Sequence, residues 1–72
     1  MPKLPQVKPR AVEKLLIKHG FTGRPAHGHV VFVHADGRRT VVPGHNRPIR
    51  KGTLSAILRQ ADITVEELIS SL

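Results

Sequence analysis

The chain has 72 residues, 39% of them apolar, and its only aromatic residues are Phe21 and Phe32, which is enough for one small domain with a thin aliphatic core. Twelve lysines and arginines against five acidic residues give a formal net charge of +7, which favours a polyanionic partner, either nucleic acid or an acidic protein. Two aromatic residues disfavour an RNA reader that stacks bases, and the lack of cysteine excludes disulfides and thiolate metal sites.

The first segment, residues 1–8, contains Pro2 and Pro5 and no periodic pattern, so we expect an extended leader before a single folded domain over residues 9–72. The start lacks the long apolar run of a signal peptide, and no stretch approaches the ~20 apolar residues of a membrane span. A protein of the cytoplasm is therefore the expectation.

A first helix is predicted over residues 9–19. Pro9 suits its first turn, where the missing N–H costs nothing, and Gly20 is well placed to end it. One face of this helix repeats at i, i+3, i+4 and i+7: Val12, Leu15, Leu16 and His19.

Three antiparallel strands should follow, over residues 21–25, 29–34 and 38–42. Gly23 and Pro25 limit the pairing of the first strand, which we therefore expect to be short and at an edge of the sheet. The pair Asp36-Gly37 is typical of the tight turn that joins the second and third strands.

Both sides of the second strand are apolar, with Val31 and Val33 on one side and Val30 and Phe32 on the other. Three strands and a few small helices can cover one face of such a sheet well and the other poorly. The second face is then either covered by a partner or a second copy, or exposed without consequence.

A second helix is predicted over residues 51–60, and Thr64 with Glu67 forms a capping box for a short last helix. We expect the last helix to bury a stripe made of Val65, Leu68, Ile69 and Leu72. Helices grouped on one face of an antiparallel sheet define an α+β sandwich.

The chain has five histidines. Histidine titrates near neutral pH and can move a proton to or from a reacting group. His29 stands where a glycine-containing turn becomes the second strand, so it is held by the sheet and open to a ligand. His27 and His45 are accessory candidates, whereas His19 and His34 favour structural roles. The His27-Gly28-His29 pattern lacks a third metal ligand at a diagnostic spacing, and no metal is expected.

RNA supplies its own nucleophile, the 2′-hydroxyl, so one basic group that removes its proton can suffice for cleavage. Cations near the predicted hairpin and the loop after it can hold the phosphates and offset charge that develops during cleavage. These are Arg24, Arg38, Arg39, Arg47, Arg50 and Lys51. Arg24, Arg38, Arg39 and Lys51 are the expected RNA contacts, although an ordinary solvated face is the alternative for each of them.

Several segments, in this order and spacing, closely resemble the HicA family of toxins over about residues 4–69. They are Gly20-Phe21, Gly28-His29, Val30-Val31-Phe32, His34-Ala35-Asp36-Gly37-Arg38, Val41-Val42-Pro43 with His45, Lys51-Gly52-Thr53-Leu54 and Ile57-Leu58. The family usually has Gly-Ser-His or Gly-Gly-His at the start of the second strand. Its catalytic histidine falls on His29, and His27 replaces the first glycine.

This resemblance implies a double-stranded-RNA-binding-like fold and a ribonuclease that cleaves mRNA and halts translation without a metal ion. It also implies an antitoxin of the HicB family that binds the toxin and covers the active histidine. Two other functions agree with the basic composition: a non-catalytic RNA-binding module of the same fold, and an interaction protein for an acidic partner.

Overall fold

The computed structural model describes residues 3–72, and its elements appear in the predicted order. They are α1 (Pro9–Lys18), β1 (Thr22–Ala26), β2 (His29–Val33), β3 (Arg39–Pro43), α2 (Lys51–Ala61) and α3 (Val65–Ser70). The strands form one antiparallel sheet in the order β1-β2-β3, so β1 lies at an edge. The predicted α+β class is confirmed, and the observed ends of α1, α2 and the strands differ from the predicted ones by at most one residue.

The described residues before α1 form neither helix nor strand, and two of them contact the core. Val7 is buried, and its carbonyl accepts a 2.8 Å hydrogen bond from the N–H of Ile49 in the loop before α2. Leu4 is half-buried and packs against the core. Met1 and Pro2, the first two residues of the predicted leader, lie outside the described part of the chain.

Helix α1 begins with Pro9 and ends before Gly20, whose φ of +92° is a backbone conformation that favours glycine. The N–H of Phe21 then bonds back to the carbonyl of Leu16 at 3.0 Å, which satisfies a free carbonyl of the last turn. This reversal directs the chain into β1.

The core lies between one face of the sheet and the helices, and it is mainly aliphatic. Its fully buried side chains include Phe32, Leu16, Leu54, Ile57, Leu68, Val12 and Val42. Gly23 of β1 is paired with Phe32, and a Cβ at Gly23 would lie 2.7 Å from the phenyl ring. Thr40 is the buried polar residue of the described chain, and its hydroxyl donates to the side-chain oxygen of Gln60 at 2.8 Å. That bond ties β3 to α2.

The predicted capping box of α3 is confirmed. The backbone N–H of Glu67 donates to the Thr64 hydroxyl at 3.1 Å, and the Thr64 N–H donates to the Glu67 carboxylate at 2.9 Å. The predicted buried stripe is wrong for Ile69 and Leu72, which are 42% and 64% exposed. The helix has only six residues and ends at Ser70, so Leu68 is the residue that it fully buries.

Candidate active site

The sheet has a second face, turned away from the helices, and we call it the open face. Burial alternates along β3, where Thr40 and Val42 are buried and Val41 is exposed, as expected for a sheet covered on one side. Val33 and Val41 are 44% and 40% exposed. The strand register sets three rows across this face: Ala26–His29–Pro43, Arg24–Val31–Val41 and Thr22–Val33–Arg39.

The open face therefore carries His29 together with two of the predicted RNA contacts, Arg24 and Arg39. A strand rises about 3.3 Å per residue, which puts the row of Arg24 about 7 Å from the row of His29 and the row of Arg39 about 13 Å away. Both arginines are exposed. The arrangement is a histidine at one end of the face with positive charge extending along the strands from it.

The backbone next to His29 is held by a contact between two glycines. The N–H of Gly44, which follows β3, donates to the carbonyl of Gly28 at 2.9 Å. A Cβ at Gly44 would overlap that carbonyl, so only glycine allows this approach. Gly28 itself has a φ of +74°, which glycine adopts without strain. Position 29 is thus fixed by main-chain geometry, independently of its own side chain.

The His29 side chain is half-buried at the start of β2. Within residues 3–72, the histidine side chains that form hydrogen bonds or lie near carboxylates are His19, His34 and His45. Both ring nitrogens of His29 are therefore available to a ligand. A neutral imidazole offers one donor and one acceptor, the pair needed to exchange a proton with a bound group.

The two accessory candidates lie at the same end of the sheet but off the strands. His27 is exposed in the turn between β1 and β2. His45 follows Gly44, and its Nδ1 accepts the backbone N–H of Arg47 at 3.1 Å. Lys51 is exposed as the first residue of α2.

Arg38, the fourth predicted RNA contact, lies at the opposite end of the β2–β3 hairpin and already has partners. Its Nε donates to the Asp36 carboxylate at 2.8 Å, and another guanidinium N–H donates to the carbonyl of Ala61 at the end of α2. The guanidinium also lies 5.1 Å from the centre of the Phe21 ring. Arg38 thus connects the hairpin to the helical layer, and its guanidinium has less freedom to contact RNA than those of Arg24 and Arg39.

His34 belongs to the same end. Its ring meets the Phe21 ring edge-on at 5.1 Å, and its Nδ1 lies 3.1 Å from the backbone N of Asp36. The backbone N–H of Arg38, followed by its side chain, holds the pKa of the Asp36 carboxyl below its usual range. The structural roles expected for His34 and His19 agree with these contacts, because His19 lies 3.7 Å from the Glu67 carboxylate.

Within residues 3–72, no three histidine, aspartate or glutamate side chains converge in a way that would hold a metal ion. The same part of the chain has no helix that is both long enough and apolar enough to cross a bilayer.

Sequence patterns missed three features of this region. The Gly44–Gly28 contact needs the fold, since the two residues lie on different turns. The shared face of His29, Arg24 and Arg39 needs the strand register. Of the partners of Arg38, Asp36 could have been found from the sequence, because an aspartate often bonds the backbone two residues later. Here the Arg38 N–H donates to the Asp36 carboxylate at 3.0 Å.

Comparison with known proteins gives one family. Residues 9–63 match the model of the family described as HicA toxin of bacterial toxin–antitoxin. The match covers α1, the sheet, α2 and the loops between them. No curated protein matches the chain.

Proposed function

The chain belongs to the HicA toxins of bacterial toxin–antitoxin systems, and on that premise we propose that it is an endoribonuclease that cleaves mRNA and thereby inhibits translation. One observation supports this proposal above the others. The His29 ring is half-buried on a rigid strand, has no partner among residues 3–72, and shares the open face with Arg24 and Arg39. The proposed substrate is mRNA in the cytoplasm.

In the proposed reaction, His29 is the general base and needs no metal ion. Its neutral ring takes the proton of an RNA 2′-hydroxyl, and the resulting oxygen attacks the adjacent phosphorus. The bond from phosphorus to the 5′-oxygen breaks, which leaves a 2′,3′-cyclic phosphate and a 5′-hydroxyl whose proton comes from water or from the protonated ring. General acid–base assistance of this kind contributes about 10²–10⁴-fold to a rate.

Arg24 and Arg39 are proposed to hold phosphates on one side of the reacting group, because they lie exposed along the face that starts at His29. Lys51 is a proposed phosphate contact at the start of α2. The arginines also offset the negative charge that builds on the phosphate in the transition state. Arg38 retains a proposed minor role, since its guanidinium is engaged by Asp36 and Ala61.

A toxin of this class has an antitoxin partner, and we propose that an acidic HicB-type protein covers the open face and with it His29. Val33 and Val41 are exposed there beside arginines, a surface that suits a partner with apolar contacts inside an acidic rim. Val41→Ser should weaken the complex about tenfold, as expected for a buried valine, while leaving free-toxin cleavage unchanged. Equal affinity of both proteins for the antitoxin would contradict this docking surface.

The test of the proposed activity compares four proteins: the wild type, His29→Ala, His27→Ala and His45→Ala. Each is expressed to measure growth arrest and then purified to measure the cleavage rate of one defined RNA in the presence of a chelator. We expect His29→Ala to abolish growth arrest and to cut the cleavage rate by about 10²-fold or more, whereas the other two variants retain most of it.

Four other outcomes would overturn the assignment. Undiminished cleavage by His29→Ala would exclude it as the base, and loss only in His27→Ala would move the role to the turn. RNA binding with a strong salt dependence but no cleavage by the wild type would indicate a binding module. A tight antitoxin complex without any RNA affinity would indicate an interaction protein.

A further inference from the structure

The loop of residues 44–50, between β3 and α2, forms a small positively charged cavity that the proposed chemistry does not use. The cavity has a volume of about 170 Å³ and is lined by His45, Arg47, Pro48 and Arg50. None of these lining residues is acidic, and all four are exposed. The cavity is thus open to solvent, and its lining side chains include no negatively charged group.

The loop is anchored at both ends. At its start, Gly44 donates to the Gly28 carbonyl, immediately before His29. At its end, Ile49 is buried and its N–H donates to the Val7 carbonyl at 2.8 Å. A loop with fixed ends holds its side chains in place before a ligand arrives, which reduces the entropy cost of binding.

The side chains of the cavity present donors. Nδ1 of His45 accepts the N–H of Arg47, so the proton of the neutral ring is on Nε2, which remains a donor. Arg47 and Arg50 each add a guanidinium whose planar N–H groups match the oxygens of a phosphate. Neither guanidinium is bonded to a carboxylate within residues 3–72, where the arginine–carboxylate pair is Arg38–Asp36.

The position of the cavity relates it to His29. Pro43 is the β3 partner of His29, and the loop begins at the next residue. Arg24 and Arg39 lie two and four residues along the strands from the His29 row, whereas the loop begins at Gly44, beside Gly28, on the side of that row away from the arginines. An RNA strand with its reacting phosphate at His29 can therefore extend in two directions, along the arginines of the open face or over the start of the loop.

We propose that His45, Arg47 and Arg50 form a phosphate subsite that binds the RNA backbone next to the phosphate cleaved at His29. This inference rests on the proposed ribonuclease function and names a part of its substrate site. Arg47 and Arg50 bind the phosphate, and His45 is a positioning residue that holds the Arg47 backbone through Nδ1.

The test separates binding from cleavage. A single-stranded DNA oligonucleotide has the same phosphates but lacks the 2′-hydroxyl, so its binding can be measured without reaction. We compare the wild type, Arg47→Ala, Arg50→Ala and the matched control Arg59→Ala, which removes the same charge from the exposed last turn of α2. Affinity is measured by fluorescence anisotropy across a series of salt concentrations, and cleavage of the matching RNA is measured separately.

We expect Arg47→Ala and Arg50→Ala each to weaken DNA binding about tenfold and to lower the salt slope by about 0.7, the value for one phosphate of a single strand. Their RNA cleavage should show a higher KM with a nearly unchanged kcat, and Arg59→Ala should match the wild type in both assays.

Two results would contradict the proposed phosphate subsite. One is that all three arginine variants lose the same affinity and slope, which would mean a general charge effect. The other is that the loop variants bind and cleave like the wild type. Failure of the ribonuclease proposal looks different, because the wild type would then leave RNA intact whatever the loop variants do to DNA binding.

Discussion

Strand β2 begins with His29 and is followed directly by His34, and the two rings, one at each end of the strand, have different surroundings. At one end, the His29 ring has no hydrogen-bond partner within residues 3–72 and faces the open side of the sheet. At the other end, the His34 ring packs edge-on against Phe21 and contacts the Asp36 turn. The same residue type is therefore free at one end and engaged in tertiary contacts at the other.

The two ends differ in what keeps them rigid. Near His34 two backbone hydrogen bonds of the turn, from the His34 N–H to the Arg38 carbonyl and from the Gly37 N–H to the His34 carbonyl, are reinforced by side chains, because the Arg38 side chain also contacts Asp36, Phe21 and the end of α2. Near His29 the contact found in the described residues is the backbone hydrogen bond between Gly44 and Gly28, without a side-chain partner for the ring. A site that is held by backbone contacts leaves its side chains available for chemistry, which is how a domain with such a thin core can keep a reactive group both fixed and free.

The largest expected effect comes from the backbone contact at the His29 end. Gly44→Ala places a methyl group against the Gly28 carbonyl, and overpacking of this kind costs about 1–3 kcal/mol. The variant should unfold at a lower temperature, and its folded fraction should cleave RNA more slowly because His29 is displaced. Thermal unfolding and cleavage rate are the measurements.

The matched control for that variant is Gly52→Ala, at an exposed helical position with no atom within 4 Å of the added Cβ. It should leave stability unchanged or raise it slightly, since alanine favours a helix over glycine and Gly52 lies in the first turn of α2. If Gly44→Ala were as stable and active as Gly52→Ala, the backbone contact would not be what fixes His29.

A smaller effect separates two neighbouring arginines. Arg38→Ala loses the bonds to Asp36 and Ala61 and should destabilise the protein by about 1–2 kcal/mol while changing RNA affinity little. Arg39→Ala, on the exposed open face, should change stability by less than about 0.5 kcal/mol and lower the salt slope of RNA binding by about 0.7. Chemical denaturation and RNA titration give both quantities, and a reversal of the two outcomes would refute the assigned roles.

The smallest effect is a pH dependence at the His34 end. The pKa of Asp36 is lowered in the folded protein, first by the backbone N–H of Arg38, so its ionised form stabilises the fold. This contribution is fully present above the ordinary carboxyl pKa of 3.8 and is lost as the pH falls through the lower folded-state value. Asp36→Asn should therefore reduce stability at neutral pH and flatten its decline in acid.

Acid unfolding followed by circular dichroism measures this dependence. Glu67→Gln is the comparison variant, because the pKa of Glu67 is also lowered, mainly by the Thr64 N–H, at the start of α3 and outside the hairpin. An acid decline that is as steep in Asp36→Asn as in the wild type would show that Asp36 does not contribute to it.

Local patterns were sufficient for much of the fold. The spacing of Val12, Leu15 and Leu16 and the Asp36-Gly37 turn act over a few residues, and the elements that they predict are present. The apolar stripe of α3 failed at Ile69 and Leu72, because periodicity does not show that a helix ends after six residues.

The site itself was only partly accessible from sequence. The position of His29 at a strand start follows from local turn chemistry, and the shared face of Val31 and Val33 follows from the alternation of side chains along β2. The different roles of Arg38 and Arg39 could not be predicted from composition, because Arg38 lies just before β3 and only its contacts with Ala61 and Phe21 show that its guanidinium is engaged. The cavity of His45, Arg47 and Arg50 depends on a loop conformation fixed by distant residues.

The most direct test of the difference between the two ends measures His29→Ala and His34→Ala side by side, for both RNA cleavage and thermal unfolding. We predict that His29→Ala loses about 10²–10⁴-fold in rate with little change in Tm, since its ring has no partner in the described chain. His34→Ala should keep its rate but lose about 1 kcal/mol, which is about 4–8 °C in Tm for a domain of this size. Wild-type cleavage by His29→Ala, or loss of cleavage in a fully folded His34→Ala, would contradict the assignment of chemistry to one end of β2 and stability to the other.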